Sequence, residues 1–339
     1  MAVPVEAAAL FLDLLGARDR AGALALARSL LAGGASTAEV IDDILSVAQR
    51  GVGERWETGE WTVSQEHAAT AIVEAVLASL APTERTAEWK GALVLACCEQ
   101  EWHSVPARML AELLRGHGWV VTFLGASVSA DDLGGTLRLA EPVALLVSCS
   151  VSMNLLGAAR VIDAAHAVGY RVLVGGSALP TAARASALGA DGWASSVDDA
   201  DQVLTAWSGH RGVPSPVARP GSAAATALAS CRAALVDETL AVLRSTTPVM
   251  AGFTERQLGR ARTDLGYIVS FGAASVLIGD DEVFHEFLEW LDPTLFRLGL
   301  QGFLAASLDT MAGLAGAHAA FLPLLDAGSD RLRGGLVGS

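Results

Sequence analysis

Residues 90–208 alternate short apolar runs with segments of helical periodicity, and this alternation constrains the fold more than any other feature of the chain. The runs are GALVLACC, WVVTFLG, VALLVSCS, RVLVGGS and DGWASS. Segments such as VPARMLAELLRGHG separate them. Alternation of this kind is typical of right-handed βαβ units, so we predict an α/β core over residues 88–208, with a parallel, flavodoxin-like sheet.

Both flanks of this region are helical in pattern. Residues 1–84 place apolar side chains at i, i+3, i+4 and i+7 in four successive segments, which predicts an N-terminal four-helix bundle. Residues 209–223 are rich in Gly, Pro, Ser and Ala and are interpreted as a linker. Residues 224–330 then predict a C-terminal all-α domain of globin-like length.

Composition excludes several function classes. The formal net charge of −14 disfavours direct binding of DNA or RNA, because such binding depends on a concentrated basic surface. Charged residues and glycines interrupt every apolar run before the roughly 20 residues of a membrane span, so no membrane association is expected. We expect no secretion signal and a cytoplasmic location, with the four cysteines reduced rather than paired.

Glu101 and His103 stand directly after the first apolar run, where ligands of parallel sheets bind. An imidazole is a good metal ligand when a carboxylate holds its second nitrogen, and Glu101 is placed to do this. A solvated loop histidine is the alternative interpretation.

The ends of later strands are rich in small and hydroxyl residues. Ser148, Ser150 and Ser152 lie in SCSVSMN, and Gly175 and Gly176 lie in VGGSALP. Residues of this kind leave room for a long ligand to approach the backbone, although ordinary turns use them as well.

In their order, these strand ends resemble the cobalamin-binding domain of methionine synthase-type corrinoid proteins, with its D-x-H-x-x-G, S-x-L and G-G motifs. The resemblance implies that His103 coordinates cobalt from the lower face, oriented by Glu101, and displaces the cofactor's own base into a slot. Ser150 and Ser152 would contact the nucleotide tail, and the two glycines would let it lie against the chain. Glu101 replaces the usual Asp, and Pro106 replaces the usual Gly, which puts the loop shape in question.

The predicted bundle contains Trp56 and, ten residues on, Glu66 and His67. This W-x(9)-E-H arrangement resembles the bundle of CarH-type photoreceptors, which implies that the three side chains cap an adenosyl group on the upper face of cobalt. The alternative is a core tryptophan and an acid favoured at a helix N-terminus. Glu57 stands where those repressors carry the His that captures cobalt after photolysis, and we expect no N-terminal helix-turn-helix.

The C-terminal domain offers a further pattern, in which spacings of four, four, three and four place five side chains on one helical face. They are Arg256, Arg260, Asp264, Tyr267 and Phe271. His285 follows among Phe284, Phe287 and Trp290 on an amphipathic aromatic segment that is also typical of a core.

Behind a CarH-like core, such a domain resembles the photocobilins, which bind both cobalamin and biliverdin. The resemblance implies a bilin held by the residues of this face and by His285. Cys231 lies at the domain's start, so noncovalent attachment is expected. An ordinary surface ion pair between Arg260 and Asp264 is the alternative.

The sequence as a whole predicts a sensor rather than an enzyme: a cytoplasmic photoreceptor that binds adenosylcobalamin and forms a homo-oligomer, a dimer at first guess, with light-dependent assembly. A corrinoid carrier of a methyltransferase system is the main alternative. A radical mutase subunit and a flavodoxin-like scaffold without a cofactor are further ones.

Overall fold

A computed structural model describes residues 5–80, 89–209, 214, 218–297, 299–300 and 302–335. Within these ranges a helical bundle, a sheet with helices on both faces and a C-terminal helical domain follow one another along the chain, which confirms the predicted fold class. The predicted boundaries at residues 84 and 88 lie outside the described residues. So do residues 210–213 and 215–217 of the predicted linker.

The N-terminal bundle follows the predicted periodicity, and its helices are α1 (Val5–Gly16), α2 (Arg20–Ala32), α3 (Thr37–Glu39), α4 (Ser46–Glu57) and α5 (Val63–Leu80). Ser36 and Glu39 form a reciprocal capping box at the start of α3, as the sequence indicates. A π-helical stretch, Val40–Leu45, joins α3 to α4, so that residues 37–57 form one continuous rod. Its apolar side chains, with Phe11 and Leu15, fill the bundle core.

The described residues contain a five-stranded parallel sheet in the order β2-β1-β3-β4-β5. The strands are β1 (Gly91–Cys97), β2 (Trp119–Phe123), β3 (Ala144–Ser148), β4 (Val172–Gly175) and β5 (Gly192–Trp193). The chain moves outward from β1 to β2 and then crosses back to β3 on the other side of β1. The order therefore reverses between β1 and β3, which is where open α/β sheets bind their ligands.

Helices cover both faces of the sheet: α6 (Ser104–Gly116), α7 (Ala130–Ala140), α8 (Leu155–Ala167), α9 (Ala182–Ala187) and α10 (Val197–Trp207). Successive residues of β1 point to opposite faces. Leu93 and Leu95 pack against α6 and α10. Val94 and Ala96 pack on the side of α7, α8 and α9. The bundle continues outward from α6, because Val105 and Met109 of that helix belong to the bundle core.

The C-terminal domain lies on the opposite side of the sheet. Its helices are α11 (Ser222–Thr246), α12 (Glu255–Ile278), α13 (Glu282–Arg297), α14 (Phe303–Leu314) and α15 (Leu322–Gly335). Ala274 and Leu277 of α12 and Val283 of α13 belong to the same hydrophobic core as the buried residues of α8. A side chain at Gly221 would overlap the Val276 carbonyl, so α11 and α12 are in close contact where α11 begins.

No helix in the described part of the chain is both long and apolar enough to cross a bilayer. Cys97, Cys98 and Cys149 are buried free thiols at the carboxyl ends of β1 and β3. Burial raises the pKa of Cys97 to about 12, with the charge of Glu101 adding to the effect. This thiol is therefore protonated at neutral pH and inert.

Candidate functional site

Three strand ends meet at one edge of the sheet. Cys97 of β1 is paired in register with Ser148 of β3, and Ser148 is paired with Gly175 of β4. The loop that follows β1 carries Glu101 and His103, so the two residues predicted from the sequence lie at the point where the strand order reverses.

Glu101 is fully buried, and hydrogen bonds surround its carboxylate. Its Oε1 accepts from the His103 ring Nδ1 at 2.6 Å and from the His103 backbone N–H at 2.9 Å. Its Oε2 accepts from the backbone N–H groups of Ser150 and Val151 at 2.7 and 3.0 Å and from the Asn154 amide at 3.2 Å. Burial acts to raise the pKa of Glu101, but the hydrogen bonds from His103 and Ser150 outweigh it and lower the pKa to about 2.

His103 is held on one nitrogen and open on the other. With the Glu101 carboxylate as acceptor, Nδ1 carries the proton, which fixes the tautomer and leaves the Nε2 lone pair outward. The side chain is 65% exposed, and Nε2 has no hydrogen-bond partner among the described residues. The hydrogen bond to Glu101 raises the pKa of His103, and burial opposes this effect. The negative charges of Glu101 and Glu66 raise the pKa further. Glu66 of the bundle is therefore close enough to act electrostatically on His103.

A cavity of about 250 Å³ runs from this edge between the sheet and helices α6 and α10. Leu95, Met109, Leu113, Leu146 and Leu173 are among its lining residues. Gly175 and Gly176 line it as well, as predicted for the slot. Gly176 has a φ of +107°, and a Cβ there would overlap the Cys149 carbonyl, so only glycine fits.

The structure places one of the three predicted serines in the slot. Ser150 and Ser152 do not line the slot, and the buried hydroxyl that does so is that of Ser148. The reason is the end of β3: Ser148 is its last residue, and the chain then turns so that the Ser150 backbone faces Glu101. Of the three serines in SCSVSMN, Ser148 is therefore the one that lines the slot.

Pro106, which replaces the usual glycine of the motif, also lines the slot, and its position shows how the local backbone accommodates it. It lies in the first turn of α6, where a backbone N–H has no partner within the helix. Proline is therefore accommodated there without loss of a helical hydrogen bond.

The predicted cap residues lie around the junction of α4 and α5. Trp56, near the end of α4, is 41% exposed, which excludes the core interpretation; Trp61, at 7%, is the buried tryptophan of this region. Glu66 is half-buried in the first turn of α5 and accepts a hydrogen bond from Thr70 at 2.8 Å. His67 is exposed, with its Nε2 3.6 Å from Glu66.

The predicted stripe on α12 begins exposed at Arg256 and becomes buried toward Tyr267. Arg260 donates to Asp264 at 3.1 Å, which is the ordinary i, i+4 pair, but Asp264 is only 7% exposed. Burial raises the pKa of Asp264, although the charge of Arg260 opposes this. The stripe thus contains a buried carboxylate whose paired guanidinium is exposed to solvent.

The stripe ends at a groove between the two domains that the sequence did not reveal. Phe271 stacks on Phe287 with ring centroids 4.1 Å apart, and Trp290 lies beside Phe287. These rings and the loop of residues 150–152 line a cavity of about 180 Å³. The loop that holds Glu101 therefore also contacts the C-terminal domain.

His285 belongs to the core of the C-terminal domain. It is buried next to Phe284, and neither ring nitrogen has a hydrogen-bond partner in the described structure. Its nearest charge is Glu282, 3.6 Å from Nδ1. The groove between the domains is lined by other faces of α13, since Val283, Glu286 and Trp290 point into it.

No group of three or more His, Cys, Asp or Glu side chains in the described ranges is placed to bind a metal ion. A metal that enters with its own equatorial ligands needs only one donor from the protein, and His103, directly before α6, offers that donor.

Comparison with known families gives two matches. Residues 91–200 match the B12 binding domain, and residues 8–81 match a second family model that is also described as a B12 binding domain. The first match coincides with the sheet and its helices, and the second coincides with the bundle. Both parts of the candidate site thus fall within cobalamin-binding architecture.

Among individual proteins, the chain is similar to the HTH-type transcriptional repressor CarH of Myxococcus xanthus, with 39% identity over 107 residues. The match covers 31% of this chain, and the chain spans about a third (34%) of that relative. The monomethylamine corrinoid protein of Methanosarcina barkeri shares the fold, with a TM-score of 0.50 and 20% identity over 59% of this chain and 98% of its own.

Proposed function

We propose that this chain, which carries cobalamin-binding domains at residues 8–81 and 91–200, is a light-sensing protein that binds adenosylcobalamin and is not an enzyme. The observation that carries the proposal is the Glu101–His103 pair at 2.6 Å, set between an apolar slot and a bundle end with an exposed tryptophan. The similarity to CarH supports the sensor role.

The residues fit a corrinoid on three counts. His103 offers one oriented nitrogen, the slot that opens at the same strand ends is mostly apolar, and Gly176 lines that slot at a position where no side chain fits. In this proposal His103 ligates cobalt through Nε2, and Ser148, Gly175 and Gly176 hold the nucleotide tail.

Adenosylcobalamin supplies a cobalt–carbon bond that visible light breaks. Trp56 offers an exposed indole to cover the organic group, while Glu66 and His67 offer hydrogen bonds to its ribose and base. Loss of these contacts shifts the balance between two packings of the bundle against the sheet domain. Because Glu57 occupies the position at which CarH-type proteins place a capturing histidine, a nitrogen donor on that side would have to come from His67, and water would be the alternative ligand.

Glu101 connects the proposed cobalt ligand, His103, to the C-terminal domain. One carboxylate joins the His103 ring to the loop of residues 150–154, and that loop packs against α12. We infer that altered ligation at His103 reaches the groove lined by Phe271 and Phe287 through this loop.

Biliverdin is proposed as a second chromophore in the C-terminal domain. The buried Asp264 is suited to pyrrole N–H groups, and Arg256 and Arg260 are suited to propionates. Tyr267 and the groove aromatics offer flat apolar contact beside them. His285, buried without a hydrogen-bond partner, is the further candidate.

The proposed assembly is a homodimer whose stability depends on light, in the cytoplasm, without direct contact to nucleic acid or membrane. The test is an absorption spectrum and a gel-filtration profile of the adenosylcobalamin-loaded protein, taken before and after visible light. The proposal expects a spectral shift and a change in elution volume, and it expects His103→Ala to lose the spectral signature of nitrogen ligation from the protein.

The same experiment separates the sensor from a corrinoid carrier of a methyltransferase system. A carrier accepts methyl groups on its cobalt and keeps the same elution volume in the dark and after light. That outcome would exclude the photoreceptor.

A further inference from the structure

The slot between the sheet and helices α6 and α10 is lined mainly by apolar side chains. Its walls are formed mainly by aliphatic side chains and Met109. Four hydroxyl groups also line it, namely those of Ser46, Ser148, Ser195 and Ser196.

Three of these hydroxyls are engaged within the protein. Ser46 Oγ donates to Met109 Sδ at 3.5 Å, and Ser195 Oγ donates to Asp199 at 2.5 Å. Ser196 Oγ accepts from the Asp199 backbone N–H at 3.1 Å and caps α10. Ser195 and Ser196 are also exposed and belong to the mouth of the slot.

Ser148 is the exception, because it is buried and its hydroxyl has no partner in the described ranges. The nearby backbone is engaged in the sheet, since Gly175 accepts from Cys149 and Val174 accepts from Ala194. Among the side chains that line the interior of the slot in the described ranges, Ser148 therefore offers the one unengaged hydroxyl, and its neighbours are apolar.

We propose that this slot selects corrinoids whose lower base is a benzimidazole over those whose lower base is a purine. The inference rests on the proposed cobalamin function and adds the ligand class. When displaced from cobalt, dimethylbenzimidazole has one ring nitrogen to satisfy, and Ser148 can donate to it. Adenine has three accepting ring nitrogens and a donating amino group.

The cost of binding adenine follows from that count. A polar group of a ligand loses its bonds to water on entering the slot and regains none from aliphatic walls. Even one such unpaired group costs about fivefold or more in affinity, and adenine would bring more than one. Dimethylbenzimidazole leaves no polar group unpaired once Ser148 donates a hydrogen bond to its ring nitrogen.

The experiment titrates the full-length apo chain in the dark with three ligands, with Kd read from the visible absorption of the bound corrinoid. The ligands are adenosylcobalamin, its analogue with adenine as lower base, and adenosylcobinamide, which lacks the nucleotide tail. We expect the adenine analogue to bind at least about tenfold more weakly than adenosylcobalamin. Leu113→Gln, which adds an amide to the slot wall, should narrow that ratio and leave the cobinamide Kd unchanged.

Equal Kd values for the two complete corrinoids would overturn the proposal, and so would a cobinamide that binds as tightly as adenosylcobalamin. In either case the proposed cobalamin function stands. If none of the three ligands binds, the cobalamin function itself fails and the base preference fails with it.

Discussion

Arg184 of α9 crosses from the sheet domain to the C-terminal domain and donates two hydrogen bonds to the Glu286 carboxylate, at 3.2 and 3.1 Å. Its Nε donates to Asp280 at 2.9 Å. The Arg184 side chain is buried, whereas both acids are partly exposed. One guanidinium thus fixes the start of α13 to the domain that carries the cofactor site.

Arg184→Ala should lower the free energy of unfolding by about 2–3 kcal/mol, because hydrogen bonds to charged groups are lost at a buried position. Urea denaturation measures this, and limited proteolysis reports whether the C-terminal domain is released. Arg331→Ala is the control, since Arg331 pairs with Glu282 and Glu289 at the surface and should cost less than about 1 kcal/mol. Equal losses in the two variants would argue against an interdomain clamp.

Gly176→Ala should destabilise the protein by about 3 kcal/mol, because the new Cβ overlaps the Cys149 carbonyl at a φ that L-residues rarely adopt. Gly135→Ala is a matched change in the middle of α7, where no atom lies within 4 Å of the new methyl group. That variant should gain up to about 1 kcal/mol from helix propensity. Thermal unfolding of the two apo proteins compares them, and a Gly176 variant as stable as the parent would contradict the described backbone.

Trp56→Ala should leave the fold nearly unchanged but weaken retention of the adenosyl group, because the indole is 41% exposed at the proposed cap. Trp61→Ala should instead lose about 3–5 kcal/mol of stability as a buried tryptophan. Chemical denaturation separates the two variants, and the dark and illuminated spectra of the loaded protein report on the cap. A Trp56 variant with an unchanged light response would remove this residue from the cap.

Asp201 is expected to contribute to acid stability. Burial acts to raise its pKa, but hydrogen bonds from Lys90, Trp119 and His117 outweigh it, so the pKa lies below 3.8. An acid with a lowered folded-state pKa stabilises the protein above its unfolded pKa, and this contribution is lost as pH falls through the folded value. Asp201→Asn should therefore flatten the fall in stability below about pH 4. Tm values from pH 2 to 7 test this, and parallel curves for parent and variant would refute it.

Asp264→Ala should abolish biliverdin binding if the stripe on α12 holds the bilin, because the buried carboxylate is the acceptor for the pyrrole N–H groups. Arg260→Ala should weaken binding as well. The control is Arg262→Ala on the same helix, where the arginine pairs with Asp237 at the surface. The readout is the red absorption band that biliverdin acquires on binding. If that band persists in the Asp264 variant, Asp264 and Arg260 form an ordinary i, i+4 ion pair and do not bind the bilin.

Much of the architecture was predictable because local periodicity carries it. The apolar runs predicted all five described strands, and the helical periodicity of residues 1–84 predicted the bundle helices. Proximity of Glu101 and His103 was also accessible, since only one residue separates them.

Long-range contacts could not be predicted from the local sequence pattern. The bonds from Ser150 and Asn154 to Glu101 join residues about fifty positions apart, and they exist only because β3 returns beside β1. The choice between Ser148 and Ser150 depends on the residue at which β3 ends. The groove of Phe271 and Phe287 depends on how two domains dock, which no periodicity within one helix encodes.

The π-helical stretch Val40–Leu45 has a consequence for how this protein tolerates indels. A wide turn of this kind accommodates one extra residue within an otherwise regular helix. Removing a single residue there would restore ordinary winding and leave α4 in nearly the same rotational position, whereas a deletion elsewhere in the helix would rotate everything beyond it by about 100°. Trp56 would therefore keep its side of the bundle after a one-residue deletion within Val40–Leu45, but not after a deletion between Ser46 and Trp56 in α4.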